Sequence, residues 1–125
     1  MFLTKLALIF IGGGLGALTR YLITEIWALF PTVRFPAATL GANITACLIM
    51  VLCIPVLQKT DNAALWRLLL ITGYCGGLST FSTFSLESAI LMKQGHYILV
   101  IVNVVLTTSI CLYIAWKGVG TYLNP

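Results

Sequence analysis

The sequence predicts an all-α integral membrane protein, and three observations carry that reading. Of the 125 residues, 60% are hydrophobic and only 8% charged, whereas soluble domains carry about 25% charged residues. The mean hydropathy is +1.05. The apolar residues also gather into four stretches, at about residues 3–24, 36–57, 65–92 and 97–118, each long enough to cross a hydrocarbon core of about 30 Å as a helix. Little of the chain lies outside them, so the expected organisation is one transmembrane domain over 1–125.

The first stretch opens with Lys5 and an apolar run, the pattern of a secretion signal. The run continues through Gly12-Gly13-Gly14-Leu15-Gly16 without a good small-residue cleavage site and then meets Arg20, so it reads as a retained helix. Gly12-x-Gly14-x-x-Ala17 spells a dinucleotide fingerprint, but no strand precedes it and no βαβ unit follows. Gly12-xxx-Gly16 and Gly13-xxx-Ala17 are better read as surfaces on which membrane helices approach closely. Arg20 ends that face, either as a snorkelling charge or as a guanidinium that orders loops and draws anions toward a vestibule.

In the second stretch Thr39 and Asn43 stand four apart and share a helix face. A buried amide in a membrane must find partners. It either joins two helices by a hydrogen bond or offers its NH₂ to a polar track.

The third stretch is the unusual one. Residues 73–85 read Gly-Tyr-Cys-Gly-Gly-Leu-Ser-Thr-Phe-Ser-Thr-Phe-Ser. Three glycines weaken a helix, and five hydroxyls seek partners that lipid cannot supply. The expectation is a helix broken at its glycines, exposing carbonyls that can hold a cation and leaving hydroxyls and phenyl edges to meet an anion. Phe81 and Phe84 then lie near one face just past the break, with Glu87 three residues further along it. A phenyl edge is weakly positive, although membrane aromatics also serve plain packing. Glu87 is either an intramembrane functional acid or a vestibule residue paired with Lys93 or a hydroxyl.

In the fourth stretch Asn103, Thr107 and Cys111 follow at i, i+4, i+8 and make one polar stripe. Thr108 and Ser109 point elsewhere and satisfy neighbouring carbonyls. Trp27, Trp66, Tyr97, Trp116 and Tyr122 fall near span ends, as an aromatic belt would, and His96 reads as interfacial. Cys47, Cys53, Cys75 and Cys111 lie in apolar stretches without CxxC or His-paired spacing, so they read as small buried hydrophobes rather than a disulfide framework or zinc site.

The net charge of +4 is spread over loops and helix ends, which suits lipid headgroups rather than nucleic acid. With four spans, one side holds Lys5, Lys59, Arg67 and Lys117 and the other Arg20, Arg34 and Lys93. Without a clear positive-inside bias, insertion in both orientations is physically reasonable. Four short helices hardly enclose a pathway alone, whereas two antiparallel copies can form one at their interface. No Ser-His-acid set, paired intramembrane carboxylates or metal-ligand cluster is present in the sequence, so an enzyme is not expected.

Three motifs in order, Gly12-Gly13-Gly14-Leu15-Gly16-Ala17-Leu18-Thr19-Arg20-Tyr21, Thr39-Leu40-Gly41-Ala42-Asn43, and Gly73 through Glu87, make the chain resemble the small bacterial fluoride channels, the CrcB or Fluc family, almost end to end. The resemblance implies an antiparallel, dual-topology homodimer in the bacterial plasma (inner) membrane, with two fluoride pores and a structural sodium ion at the dimer centre. It implies that backbone carbonyls of Gly76 and Ser79 hold the sodium, that Phe81 and Phe84 face fluoride, and that Asn43 is the pore amide. Ser82 and Thr83 fall in the hydroxyl part of the same motif. Thr39, Asn103 and Thr107 extend the expected pathway, with Arg20 and Glu87 at a vestibule. Three departures stand out: Ser79 where Thr is common, Ala46 where Gly is common, and Asn103 where the family often has Tyr.

The implied function is passive fluoride export that lowers cytoplasmic fluoride. Proton-coupled fluoride exchange is the alternative that Glu87 keeps open. A small multidrug-type transporter fits less well, because it would need an acid within residues 3–24, and none is there.

Overall fold

The computed structural model describes residues 1–30 and 34–123, with the side chains of 121–123 excepted. Tyr122 of the expected aromatic belt therefore lies outside the described side chains. The order is α1 (Phe2–Ala28), α2 (Ala37–Gln58), α3 (Ala63–Trp66), a π-helical stretch (Arg67–Cys75), α4 (Gly76–Leu78), α5 (Phe81–Lys93) and α6 (Tyr97–Leu123). Among the described residues, three helices are long and apolar enough to cross a membrane by themselves: Phe2–Ala28, Ala37–Gln58 and Tyr97–Gly120. Large apolar residues on α1 and α6 point outward, Phe10 at 83% exposure and Ile98 at 76%, as lipid-facing surfaces do.

The expected third span is not one helix. Its first half runs from Ala63 to Leu78 through the π stretch. Two extended residues follow, Ser79 at φ −74°, ψ 151° and Thr80 at φ −151°, ψ 122°. Helix then resumes at Phe81. The break therefore falls after the glycines, not at them, which corrects the sequence expectation.

The glycines do something else. A Cβ built on Gly12 would strike the Leu69 carbonyl oxygen, and one on Gly16 would strike the Tyr74 carbonyl and lie 2.7 Å from the Leu78 nitrogen. On the opposite helix, a Cβ on Gly73 would come 2.9 Å from Gly12 Cα, and one on Gly77 would strike the Gly13 carbonyl. Two backbones thus touch directly, each using glycine at a four-residue spacing, which is close small-residue packing on both sides. The Thr19 and Tyr74 hydroxyls, 3.1 Å apart, join the same two helices.

Ala42 and Ala46 of α2 pack with Cys75 and Leu78 into the buried centre, with Ile23, Ile49, Met50 and Tyr74 around them. At the far end, α5 closes on Gly95 at φ 78°. There the Gly95 N–H donates to Met92 O at 3.0 Å and the His96 N–H to Leu91 O at 2.9 Å. This paired closure needs a left-handed residue, which is why glycine stands there. It turns the chain directly into α6.

Candidate functional site

Two residues of extended backbone inside a membrane protein leave N–H and C=O groups without helical partners. Here α2 supplies the replacement. Asn43 Oδ1 accepts from the Thr80 N–H at 2.7 Å, and Asn43 Nδ2 donates to the Thr80 carbonyl at 3.3 Å. Both groups are buried. Thr80 then caps the next helix: its Oγ1 accepts from the Thr83 N–H at 3.2 Å. The same hydroxyl donates to Thr83 Oγ1 at 3.1 Å and lies 3.2 Å from Ser82 Oγ.

This substitution has a direct consequence. In a continuous helix the Thr80 N–H would bond the Gly76 carbonyl, and the Thr83 N–H would bond that of Ser79. Both donors are diverted to side-chain oxygens. The carbonyls that the sequence resemblance singles out, Gly76 and Ser79, are among those whose helical donors are taken away at the break. Gly76 is exposed on the protomer and Ser79 partly so.

A cavity of about 510 Å³ opens beside the break. Its walls include Asn43, Thr80, Phe81, Phe84 and Thr107. The two phenyl centroids lie 5.6 Å apart at 33°. The rings do not share one environment, as their spacing suggested: Phe84 is 9% exposed, while Phe81 is 79% exposed on the protomer surface. Ser82 beside it is exposed and Thr83 half-buried.

Glu87 belongs elsewhere. Its Oε1 accepts from the Thr39 hydroxyl at 2.9 Å, and its buried Oε2 has no hydrogen-bond partner among the described residues. It lines a second cavity of about 300 Å³ with Arg34 and Gln94, so the expected continuous face from Phe81 to Glu87 divides between two cavities. Of the two partners foreseen for Glu87, the hydroxyl is the one found. Arg34 Nη1 lies 3.2 Å from His96 Nε2 at this end. Thr39 and Asn43 share their helix face but serve different partners, Glu87 and Thr80. Arg20 is half-buried on α1 and lines neither cavity.

On α6 the polar stripe is real but only part of it reaches the first cavity. Asn103 is 1% exposed and donates to Ser88 Oγ at 3.1 Å, while Thr107 donates to Asn103 Oδ1 at 3.3 Å. Thr107 and Cys111 line the cavity. Thr108 satisfies the Val104 carbonyl at 2.6 Å, as expected, yet it too borders the cavity. The cysteines are not uniformly buried either. Only Cys75 is, and Cys47 and Cys111 are partly exposed in the cavity wall.

Sequence reasoning passed over Thr80 and Ser88 as site residues. Thr80 carried a usable signal, a hydroxyl directly before a helix with its hydrogen-bonding target three residues on. Ser88 had only its position one turn after Phe84, which names no partner.

These features define a multi-pass helical membrane protein built around an interrupted helix whose backbone is completed by amide and hydroxyl side chains. Residues 7–119 match the family described as CrcB-like protein, Camphor Resistance (CrcB), and the chain belongs to that family. It is 42% identical over 114 residues to the "Fluoride-specific ion channel FluC" of Coxiella burnetii (strain CbuK_Q154), covering 90% of this chain and 92% of the relative. The protein of that name from Pyrococcus abyssi is 41% identical over 112 residues, 89% of each chain. That from Pseudoalteromonas translucida is 36% identical over 114 residues, 89% of this chain and 93% of the relative.

Proposed function

We propose that the protein is a fluoride channel of the bacterial plasma membrane that lets the anion leave the cell passively. The observation that carries this reading is the cavity at the helix break, whose mainly apolar wall carries the polar side chains of Asn43, Ser79, Thr80 and Thr107 beside the Phe81–Phe84 pair. Relatives bearing the name of a fluoride-specific ion channel, 36% to 42% identical, support it. Fluoride is small and holds its water tightly, so a pathway must replace that shell with donors. The Ser79 hydroxyl and the second Nδ2 proton of Asn43 can donate, and ring edges add weak positive potential without the grip of a fixed charge. Among the described residues, no lysine or arginine lines the cavity, which suits a site that must also release its ion.

The working unit is an antiparallel homodimer. Phe81, Ser82, Ser85 and Gly76 are exposed on the protomer beside the break. Irregular backbone and hydroxyls at this depth need protein or water against them rather than lipid. A second copy supplies that cover and closes the open side of the cavity. Sodium fits the same place. The Gly76 and Ser79 carbonyls have lost their helical donors, and uncharged oxygens suit a small hard cation. When bound there, the ion supplies positive charge that joins two copies and offsets the local carbonyl dipoles.

Purified protein in liposomes loaded with fluoride should release it, and chloride far more slowly. Equal fluxes of the two anions would overturn the reading. Repeating the release with an imposed proton gradient separates channel from exchanger. The unpartnered oxygen of Glu87 is the observation that favours testing the latter, and a flux driven uphill by protons would establish it.

A further inference from the structure

The second cavity is lined by two opposite charges that are not paired with each other. Arg34 and Glu87 both border its space of about 300 Å³. The Arg34 guanidinium is turned instead to the ring of His96, with Nη1 3.2 Å from Nε2. Glu87 Oε2 is meanwhile the buried side-chain oxygen left without a hydrogen-bond partner among the described residues. The turn at Gly95 sets His96 in place, and the His96 N–H is fixed on the carbonyl of Leu91, itself in the cavity wall.

The Arg34–His96 contact fixes a proton. Arginine carries donors and no acceptor, so His96 Nε2 must present its lone pair and the ring proton must sit on Nδ1. In a charged ring both nitrogens are donors, so the contact exists only while His96 is neutral. Histidine ordinarily changes charge between about pH 5 and pH 8. The other charged and titratable groups nearby are Lys93 of α5 and Tyr97 of α6, both exposed and neither in the cavity wall. The packed helix α2 carries no charged residue, and its first titratable group, Cys47, lies two turns beyond Thr39. Arg20, Tyr21 and Glu25 belong to α1, which packs on α2 and on the first half of the interrupted helix.

We propose that the Arg34–His96 contact is a latch released by protons: when His96 gains a proton, the guanidinium leaves it and pairs with Glu87 across the second cavity. At His96 the exposed guanidinium keeps much of its hydration, whereas pairing with a buried carboxylate strips it. The histidine contact therefore holds while the ring is neutral. Protonation sets two like charges 3.2 Å apart, too close for salt to screen. Glu87 Oε2 then offers the displaced guanidinium both an unused acceptor and the opposite charge. The arginine side chain comes to lie across the cavity and narrows it in acid. That this slows fluoride release rests on the fluoride-channel reading; the latch itself does not.

The chain has one histidine, so its ring nitrogens give unambiguous signals in ¹⁵N-labelled full-length protein in detergent. At about pH 8 the proton should sit on Nδ1, and Arg34→Ala should release that preference. On acidification the Arg34 guanidinium signal should move through the same midpoint as the ring. Glu87→Gln should change its acid position and not its neutral one. A proton on Nε2 in the wild type, or a guanidinium signal indifferent to the ring, would overturn the latch. Fluoride release from liposomes is then read with equal pH on both sides, against protein-free vesicles that report leak of neutral HF. Wild-type release should fall several-fold between about pH 8 and pH 5.5, across the range in which histidine titrates. His96→Gln keeps an acceptor without a titration and should lose that fall, as should Glu87→Gln measured against its own neutral rate. His96→Lys, charged throughout, should be slow at both values. A fall that persists in His96→Gln would take the histidine out of the control of release. Coupled ring and guanidinium signals in a protein that releases no fluoride at any pH would leave the latch standing and remove the fluoride-channel reading.

Discussion

The two halves of the interrupted helix are held by opposite means. Before the break, the π stretch and α4 lie against α1 with backbone touching backbone through Gly12, Gly16, Gly73 and Gly77. After it, α5 is tied to α2 and α6 by polar side chains: Asn43 to Thr80, Thr39 to Glu87, Asn103 to Ser88. The first half has no room for a side chain at its contact. The second keeps a cavity of about 510 Å³ beside it. The comparison shows that a glycine run in a membrane helix need not mark where the helix fails. Here glycine makes the rigid half, and hydrogen-bonding side chains make the gap.

The largest effects should come from filling the rigid half. Gly16→Val and Gly77→Val push a side chain into backbone of the facing helix, which cannot rotate away. Overpacking costs about 1–3 kcal/mol where neighbours can adjust and more where they cannot. Both variants should lose the monodisperse folded species on gel filtration in detergent. A well-folded Gly77→Val protein would show that the helices can slide apart.

Asn43 comes next. Asn43→Leu leaves the buried Thr80 N–H and C=O without partners, a loss of about 1–3 kcal/mol for each group, and should lower thermal stability sharply. Asn43→Asp keeps the acceptor for the Thr80 N–H but loses the donor. It should retain the fold and lose fluoride release. Wild-type release by Asn43→Asp would confine Asn43 to its structural task.

The phenyl pair separates stability from transport. Phe84→Ile alters a buried ring and should cost up to about 1.5 kcal/mol. Phe81→Ile alters an exposed one and should leave protomer stability alone. If both edges meet fluoride, each should cut release by about ten-fold or more, the equivalent of about 1.4 kcal/mol. Unchanged release in both would return the rings to simple packing.

Thr80→Val removes the cap of α5 and should cost about 1 kcal/mol, seen as a small fall in unfolding midpoint. The smallest effect on the protomer belongs to Gly76→Ala. Gly76 has ordinary helical geometry, φ −64°, ψ −36°, and a Cβ there would meet only the Ile71 carbonyl, at 3.9 Å. Gly76 is therefore not needed for a turn, although the sequence suggests a helix broken at its glycines. The protomer should fold normally, so any loss of dimer or of transport in this variant reports a close approach by the partner. Full dimer stability and transport in Gly76→Ala would argue against that approach.

Composition alone determined that the chain lives in a membrane as helices, because 60% hydrophobic and 8% charged residues cannot cover a soluble surface. The order of motifs was enough to reach the family, and the Gly73-to-Glu87 run was enough to locate an interrupted helix. Its residues could not reveal where the interruption falls. That depends on which polar side chain reaches which backbone group from another helix, and Asn43 is 37 positions from Thr80. The same holds for the division of Phe84 from Glu87 into separate cavities. Glycine spacing fixes that helices can approach, since the absence of a Cβ is a local property. Only the tertiary structure decides which helix comes close and which donors are diverted, because hydrogen bonds between helices are set by packing and not by periodicity along one of them.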